Sequence, residues 1–311
     1  MHISGYQRIF LILVISLTFS PFYGQPYEIG RMEIEFIDHN RADRRVSALI
    51  LYPSDSAGFD VPLSRADLNS YPLIVFGHGY LMSVEAYRNI WECIVPEGFV
   101  FVLPRSGSGM VPSHLEFGMD MAFLLDEMIR SSSEEASPFS GRLRPSGCLM
   151  GHSMGGGAAF VGALYSDAIA ATVTLSPLET NPSSAEAARQ LSVPSLIFAG
   201  SNDCITRPEK HQLPLFDSLQ STQKTYLLIK GGSHCQMASV NKICNVAESI
   251  CNKEPGISRE EQHRVLGRYM LPWLRYYLYG EGNAGNIFEE QLASDTAIIC
   301  RKVGSMNTSS R

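Results

Sequence analysis

Charge is sparse in this 311-residue chain: Asp, Glu, Lys and Arg make up 18% of it, where a soluble domain usually carries about 25%. With 45% hydrophobic residues, a large buried core is within reach and intrinsic disorder is excluded. A basic surplus is missing too. Lys and Arg number 25 against 31 Asp and Glu, a formal net charge of −6, which leaves no electrostatic footprint for nucleic acid or an anionic membrane surface. Seven cysteines are too few for a disulfide scaffold at this length, and an odd count leaves at least one thiol unpaired within a monomer. The apolar stretch from Ile9 to Phe19, interrupted by Ser16 and Thr18, falls short of the ~20 residues of a membrane span, so stable membrane insertion is not expected. Preceded by Arg8 and followed by Pro21 and Gly24, it reads as the apolar region of a signal peptide over residues 1–24. Export to a secreted or periplasmic setting makes disulfides permissible.

From Gly30 onward, apolar strand-like runs alternate with longer helical stretches, without repeats or a long linker. Candidate strands are Met32 to Ile37, Val46 to Tyr52, Leu73 to Phe76, Phe99 to Leu103, Ser146 to Met150, Ala171 to Leu175, Ser195 to Ala199 and Thr225 to Ile229. The first two alternate in polarity, and the later ones are nearly continuous hydrophobics, as doubly buried parallel strands should be. Helical periodicity covers Val84 to Ile94, Leu115 to Ile129, Met154 to Tyr165, Glu209 to Leu219 and Glu260 to Leu278. The pattern predicts one α/β domain over residues 25–280, with a mostly parallel, doubly wound sheet of about eight strands flanked by helices. Residues 281–311 have weak periodicity and a polar end, and fit a tail or a short docking helix around Ile287 to Leu292 equally well.

Gly151-His152-Ser153-Met154-Gly155 directly follows one candidate strand and opens a helical run. That context is the one a nucleophile elbow needs, because a serine on a sharp strand-to-helix turn requires neighbours without side chains. The segment lacks the Lys-Ser/Thr ending of a phosphate-binding loop. A serine hydroxyl needs a base, and the base an orienting carboxylate. In the chain order Ser, acid, His, Asp203 follows the strand ending at Ala199, and His234 follows the strand ending at Ile229. Glu179, also on a strand-end loop, is a competing acid, whereas Asp167 sits at the far end of the elbow helix. His78, His152, His211 and His263 are competing histidines. Two amides must face the oxygen that becomes negative in the tetrahedral intermediate. Met154, after the nucleophile, supplies one, and Tyr80, in the loop Gly77-His78-Gly79-Tyr80 after the third strand, supplies the other.

These blocks, with Pro194 to Phe198, Asn202-Asp203, His211 to Leu219 and Gly231-Gly232-Ser233-His234, resemble the α/β-hydrolase superfamily. The nearer resemblance is to the cutinase-like and poly(ethylene terephthalate) hydrolase-like secreted esterases, with dienelactone hydrolase-like proteins as the neighbouring family. The resemblance spans about Tyr71 to His234. It implies an α/β-hydrolase fold, Ser153 as nucleophile, Asp203 as orienting acid, His234 as base, Tyr80 and Met154 as oxyanion hole, and no metal or organic cofactor. It also implies a cleft residue at Leu178, where polyester-active members often carry tryptophan. That departure removes an aromatic wall and weakens the case for a rigid aromatic polyester.

Cys204 and Cys235 each directly follow a triad residue. Since the acid and base loops must approach one another, these two are expected to bridge. Cys244 and Cys251 form a second candidate pair, which requires a non-helical segment, because a helix would hold positions seven apart at about 10 Å. Cys93 and Cys148 are expected to stay reduced and buried. The resulting expectation is a secreted, monomeric serine esterase acting on small, lipid or polymeric esters. The alternatives are a dienelactone-type hydrolase or an acyltransferase on the same triad, or a binding protein on a hydrolase frame.

Overall fold

The computed structural model describes residues 27–66, 70–251 and 253–306, so the expected signal segment and the polar end from 307 to 311 lie outside the described residues. In chain order the elements are β1 (Glu28–Asp38), β2 (Arg44–Ser54), β3 (Gly58–Phe59), β4 (Tyr71–Gly77), α1 (Arg88–Ile94), β5 (Val100–Pro104), α2 (His114–Ser131), β6 (Leu143–His152), α3 (Met154–Gly162), β7 (Ile169–Leu175), α4 (Ser184–Ala188), β8 (Ser195–Gly200), α5 (Gln212–Ser218), β9 (Lys224–Ile229), α6 (Lys242–Ser249), α7 (Arg259–Leu274), α8 (Gly282–Ser294) and β10 (Ile298–Val303).

All the strands join one sheet in the order β10-β9-β8-β7-β6-β4-β5-β2-β1-β3. From β5 through β4 and β6 to β9 the neighbours are parallel, and β1, β2 and β10 add antiparallel pairs towards the two edges. Among the described residues the sheet has ten strands where the sequence pattern led to eight. The two extra ones are β3, with two residues too short for any periodicity, and β10, whose Arg301 and Lys302 are exposed on an edge strand. Edge strands carry charge because an apolar open edge invites aggregation, so β10 lacks the signature of a buried strand. The stretch after 281, which periodicity leaves open, forms α8 and then β10 paired along β9.

Alternation along the central strands sends successive side chains to opposite faces. Ile74 and Phe76 of β4 enter one core with Trp91 of α1 and Trp273 of α7. Leu73 and Val75 enter the other with Phe117 of α2 and Phe160 of α3. Helices therefore cover both faces, as the continuous apolar strands require. Helix starts are set locally: Ser113 accepts a hydrogen bond from the Glu116 amide at α2, and Ser258 one from Glu261 at α7, satisfying amides that have no intrahelical partner. After β4 the chain adds β5 on one side and then β6 on the other. The carboxyl ends of β4 and β6 thus flank a topological switch point, where open α/β sheets form their ligand crevice.

Candidate active site

Ser153 sits at that switch point, between β6 and α3, with φ 54° and ψ −116°. A non-glycine residue in this region is strained, and the surroundings hold it there. Its amide donates to the Leu175 carbonyl (3.0 Å), and its carbonyl accepts from the Leu178 amide (2.9 Å). Gly155 makes the turn possible, since a Cβ there would lie 2.1 Å from the Gly77 carbonyl oxygen at the end of β4. Met154, the first residue of α3, has an amide without an intrahelical acceptor, at the positive end of the helix.

Asp203 and His234, 31 positions apart in sequence, are joined by a 2.9 Å hydrogen bond from His234 Nδ1 to Asp203 Oδ2, and both are buried. The other carboxylate oxygen accepts from the amides of Ile205 (3.0 Å) and Thr206 (2.8 Å). The Thr206 hydroxyl lies 2.9 Å from Asp203 Oδ2, 3.0 Å from His234 Nδ1 and 3.1 Å from the Ser176 carbonyl. Burial pushes the Asp203 carboxyl up, but the charge and hydrogen bond of His234, together with the Thr206 amide, outweigh it and hold the group below the usual carboxylate range. A carboxylate accepts only, so Nδ1 carries the proton and Nε2 is left with its lone pair.

The competing residues have other partners. Glu179 accepts from the hydroxyls of Ser183 and Ser184 and from the Ala185 amide, capping α4. Asp167 is exposed just before β7, at the amino end of that strand. Both His78 nitrogens face carbonyl oxygens, of Gly79 and Ser106. His211 Nδ1 accepts from the Glu179 amide, and His263 Nε2 donates to the Ala238 carbonyl. His152 lies with its ring 4.7 Å from that of His234. Tyr80 is exposed on the turn after β4, its hydroxyl donating to the Met110 carbonyl (2.8 Å). Leu178 is half-buried beside the elbow, to which its amide is bonded.

A family model described as PET hydrolase-like matches residues 70–281, which hold all of these groups. The chain belongs to the PET hydrolase-like family. It is 28% identical over 213 residues to "Cutinase est2" of Thermobifida alba, covering 68% of this chain and 61% of that protein. It is 25% identical over 278 residues to "Cutinase cut1" of Thermobifida fusca, covering 86% and 76%. To the "Bis(hydroxyethyl) terephthalate hydrolase" of Streptomyces coelicolor it is 26% identical over 261 residues, covering 81% and 74%. The chain thus spans about three-fifths of the two T. alba cutinases it matches. With its mixed, mostly parallel sheet, this member of the family has the α/β-hydrolase fold.

This PET hydrolase-like chain pairs its cysteines differently from the sequence expectation. The bridges are Cys204–Cys251 and Cys235–Cys244, which corrects both Cys204–Cys235 and Cys244–Cys251. The segment holding Cys244 is helical, as α6, and Asn241 caps it by accepting from the Cys244 amide. Helical spacing separates Cys244 from Cys251, and each is paired with one of the two loops. Cys148 is buried and unpaired, Cys93 is half-buried and unpaired, and Cys300 is exposed. Burial pushes the Cys148 thiol up and that of Cys93 up to about 11.

Sequence reasoning missed the groups that hold the loop around His234. Glu248 of α6 accepts from the Ser233 hydroxyl and the Cys235 amide, both at 3.2 Å, on either side of His234. Gln262 of α7 accepts from the Ser233 amide (2.9 Å) and donates to its carbonyl (2.8 Å). The buried position of Glu248 is the signal, since a carboxylate is rarely covered without paired donors. Glu248→Ala strands both donors and is expected to cost about 2 kcal/mol in urea unfolding. A loss below about 0.5 kcal/mol, the level of an ordinary surface change, contradicts the clamp.

Proposed function

We propose that the chain is a serine esterase that hydrolyses carboxylic esters through an acyl-enzyme. The observation that carries this reading is the buried 2.9 Å bond from His234 Nδ1 to Asp203, which fixes the tautomer a base needs in a ring 4.7 Å from that of His152, the neighbour of the strained elbow serine. In the proposed reaction Ser153 Oγ attacks the ester carbonyl and its proton passes to His234 Nε2. The carbonyl π pair moves to oxygen, where the amides of Tyr80 and Met154 receive it. As the pair returns, the C–O bond to the alcohol breaks and His234 hands its proton to the leaving oxygen. Water repeats the cycle on the acyl group, releasing the acid and restoring Ser153.

Related proteins named as cutinases and as a terephthalate-ester hydrolase support an ester substrate. Leu178 supplies an aliphatic wall where an aromatic one would grip a rigid ring, so aliphatic esters or polyesters are the proposed substrates. Two disulfides support export as the working context, with the chain acting as a monomer. Among the described residues no helix is long and apolar enough to cross a membrane.

A fluorophosphonate probe is expected to label each folded chain once, at Ser153. Rates across p-nitrophenyl esters of increasing acyl length, with a soluble aliphatic polyester alongside, define the substrate. An unlabelled, correctly folded chain points to a binding protein, and turnover confined to the shortest esters points to a dienelactone-type role.

A further inference from the structure

The geometry points to Tyr87 as a positioning residue that fixes the oxyanion turn against the nucleophile elbow. This inference rests on the esterase reading. Tyr87 is fully buried at the end of the 3-10 turn Val84–Tyr87 that leads into α1. Its hydroxyl oxygen accepts from the Gly79 amide at 2.7 Å, and it lies 3.0 Å from His152 Nδ1 and 3.2 Å from Met82 Sδ. One oxygen thus links the loop after β4 to the residue that precedes Ser153. Neither the spacing of the motifs nor the triad itself calls for this tyrosine.

Gly79 is committed at both ends. Its amide goes to Tyr87, and its carbonyl accepts from the Met82 amide (3.1 Å) and faces His78 Nδ1 (2.9 Å). A turn closed between Gly79 and Met82 has Tyr80 and Leu81 as its central residues, Leu81 at φ 55°, and the closing bond does not use the Tyr80 amide. The Tyr87 bond therefore selects which amide of the loop is left to face an oxyanion. There is no slack at this contact: a Cβ on Gly79 would lie 3.1 Å from the Tyr87 hydroxyl and 3.2 Å from His152 Nδ1.

The same hydroxyl governs His152. A phenol has one proton: given to His152 Nδ1 it requires a lone pair there and hence a neutral ring, and given towards Met82 it leaves the hydroxyl oxygen to accept from Nδ1–H. Burial holds the proton affinity of His152 well below the ordinary histidine range, and the neighbouring His234 pushes the same way, against Asp203. A neutral ring therefore lies 4.7 Å from the imidazole of His234, and no second cation opposes the charge that forms there when it takes the serine proton.

Tyr87→Phe removes the oxygen and keeps the ring, which packs on Phe76 at a 4.6 Å centroid distance. On p-nitrophenyl butyrate the variant is expected to lose about tenfold in kcat, less than the loss of a whole oxyanion donor, with KM within about twofold and every chain still titratable by fluorophosphonate. A fully titratable population that turns over slowly is an outcome that mere destabilisation does not produce. Three results overturn the proposal: kcat unchanged, a kcat loss that equals the fraction of untitratable chains, or an effect confined to KM. Wild-type protein that is neither labelled nor active sinks the esterase reading and this inference with it. An active wild type with an equally active Phe variant sinks this inference alone.

Discussion

Replacing Ser153 by alanine is expected to lower kcat for a p-nitrophenyl ester by about 10⁵ to 10⁶, the scale of losing the nucleophile of a triad whose members act as a unit. The backbone at this position is strained, yet the substitution leaves that strain as it is. The two bonds that enforce it, to Leu175 and Leu178, are made by the main chain, and alanine keeps the Cβ. The thermal midpoint should therefore move by no more than about 1 °C, the scale of a few tenths of a kcal/mol. Substrate binding should also survive, because the amides proposed to hold the oxyanion and the proposed wall at Leu178 are untouched. What remains above the water rate is the contribution of those amides and of binding. Turnover in the alanine variant at more than about one hundredth of the wild-type rate removes Ser153 from the reaction and takes the proposed function with it.

Some of this architecture is legible from short stretches of sequence, and some is not. Strands buried on both faces, such as Leu73 to Phe76 and Ser195 to Ala199, announce themselves because every residue must be apolar. The elbow does so because a strained turn packed under β4 admits only glycine at Gly155. Asp203 and His234 are legible because strand-end loops converge on one crevice. The cysteine pairing is not, since it depends on α6 being a helix, and although Ile243 and Val246 stand at helical spacing, eight residues are too few for periodicity alone to tell a helix from a loop. Three of its outward residues, Ile243, Val246 and the adjoining Ile250, are exposed, so its hydrophobicity reflects no core. The groups that steady the loops around Gly79 and His234 are the least legible. Glu248 acts on residues 13 and 15 positions away, and Tyr87 on a histidine 65 positions away, and such contacts are fixed by packing rather than by any local motif.

Asp203→Asn is expected to cost about 10⁴ in kcat with KM little changed, because the carboxamide no longer dictates where the imidazole proton sits. An asparagine can turn its NH₂ towards His234, which then must place its lone pair on Nδ1 and its proton on Nε2. In that tautomer Nε2, the nitrogen proposed to take the Ser153 proton, cannot accept. Thr206 moderates the loss: its hydroxyl is 3.0 Å from Nδ1 and can still accept from the productive tautomer, so Thr206→Val combined with Asp203→Asn should fall further than Asp203→Asn alone. Stability provides a separate check with a definite sign. The folded-state pKa of Asp203 is depressed, so its ionised form contributes stability at neutral pH that is lost as pH falls below the unfolded carboxylate value and through the folded one. The gap between wild type and the Asn variant in urea unfolding should therefore be larger at pH 7 than near pH 3. A gap that widens on acidification contradicts a carboxylate held ionised by His234 and Thr206, and kcat within about tenfold of wild type contradicts its role in orienting the base.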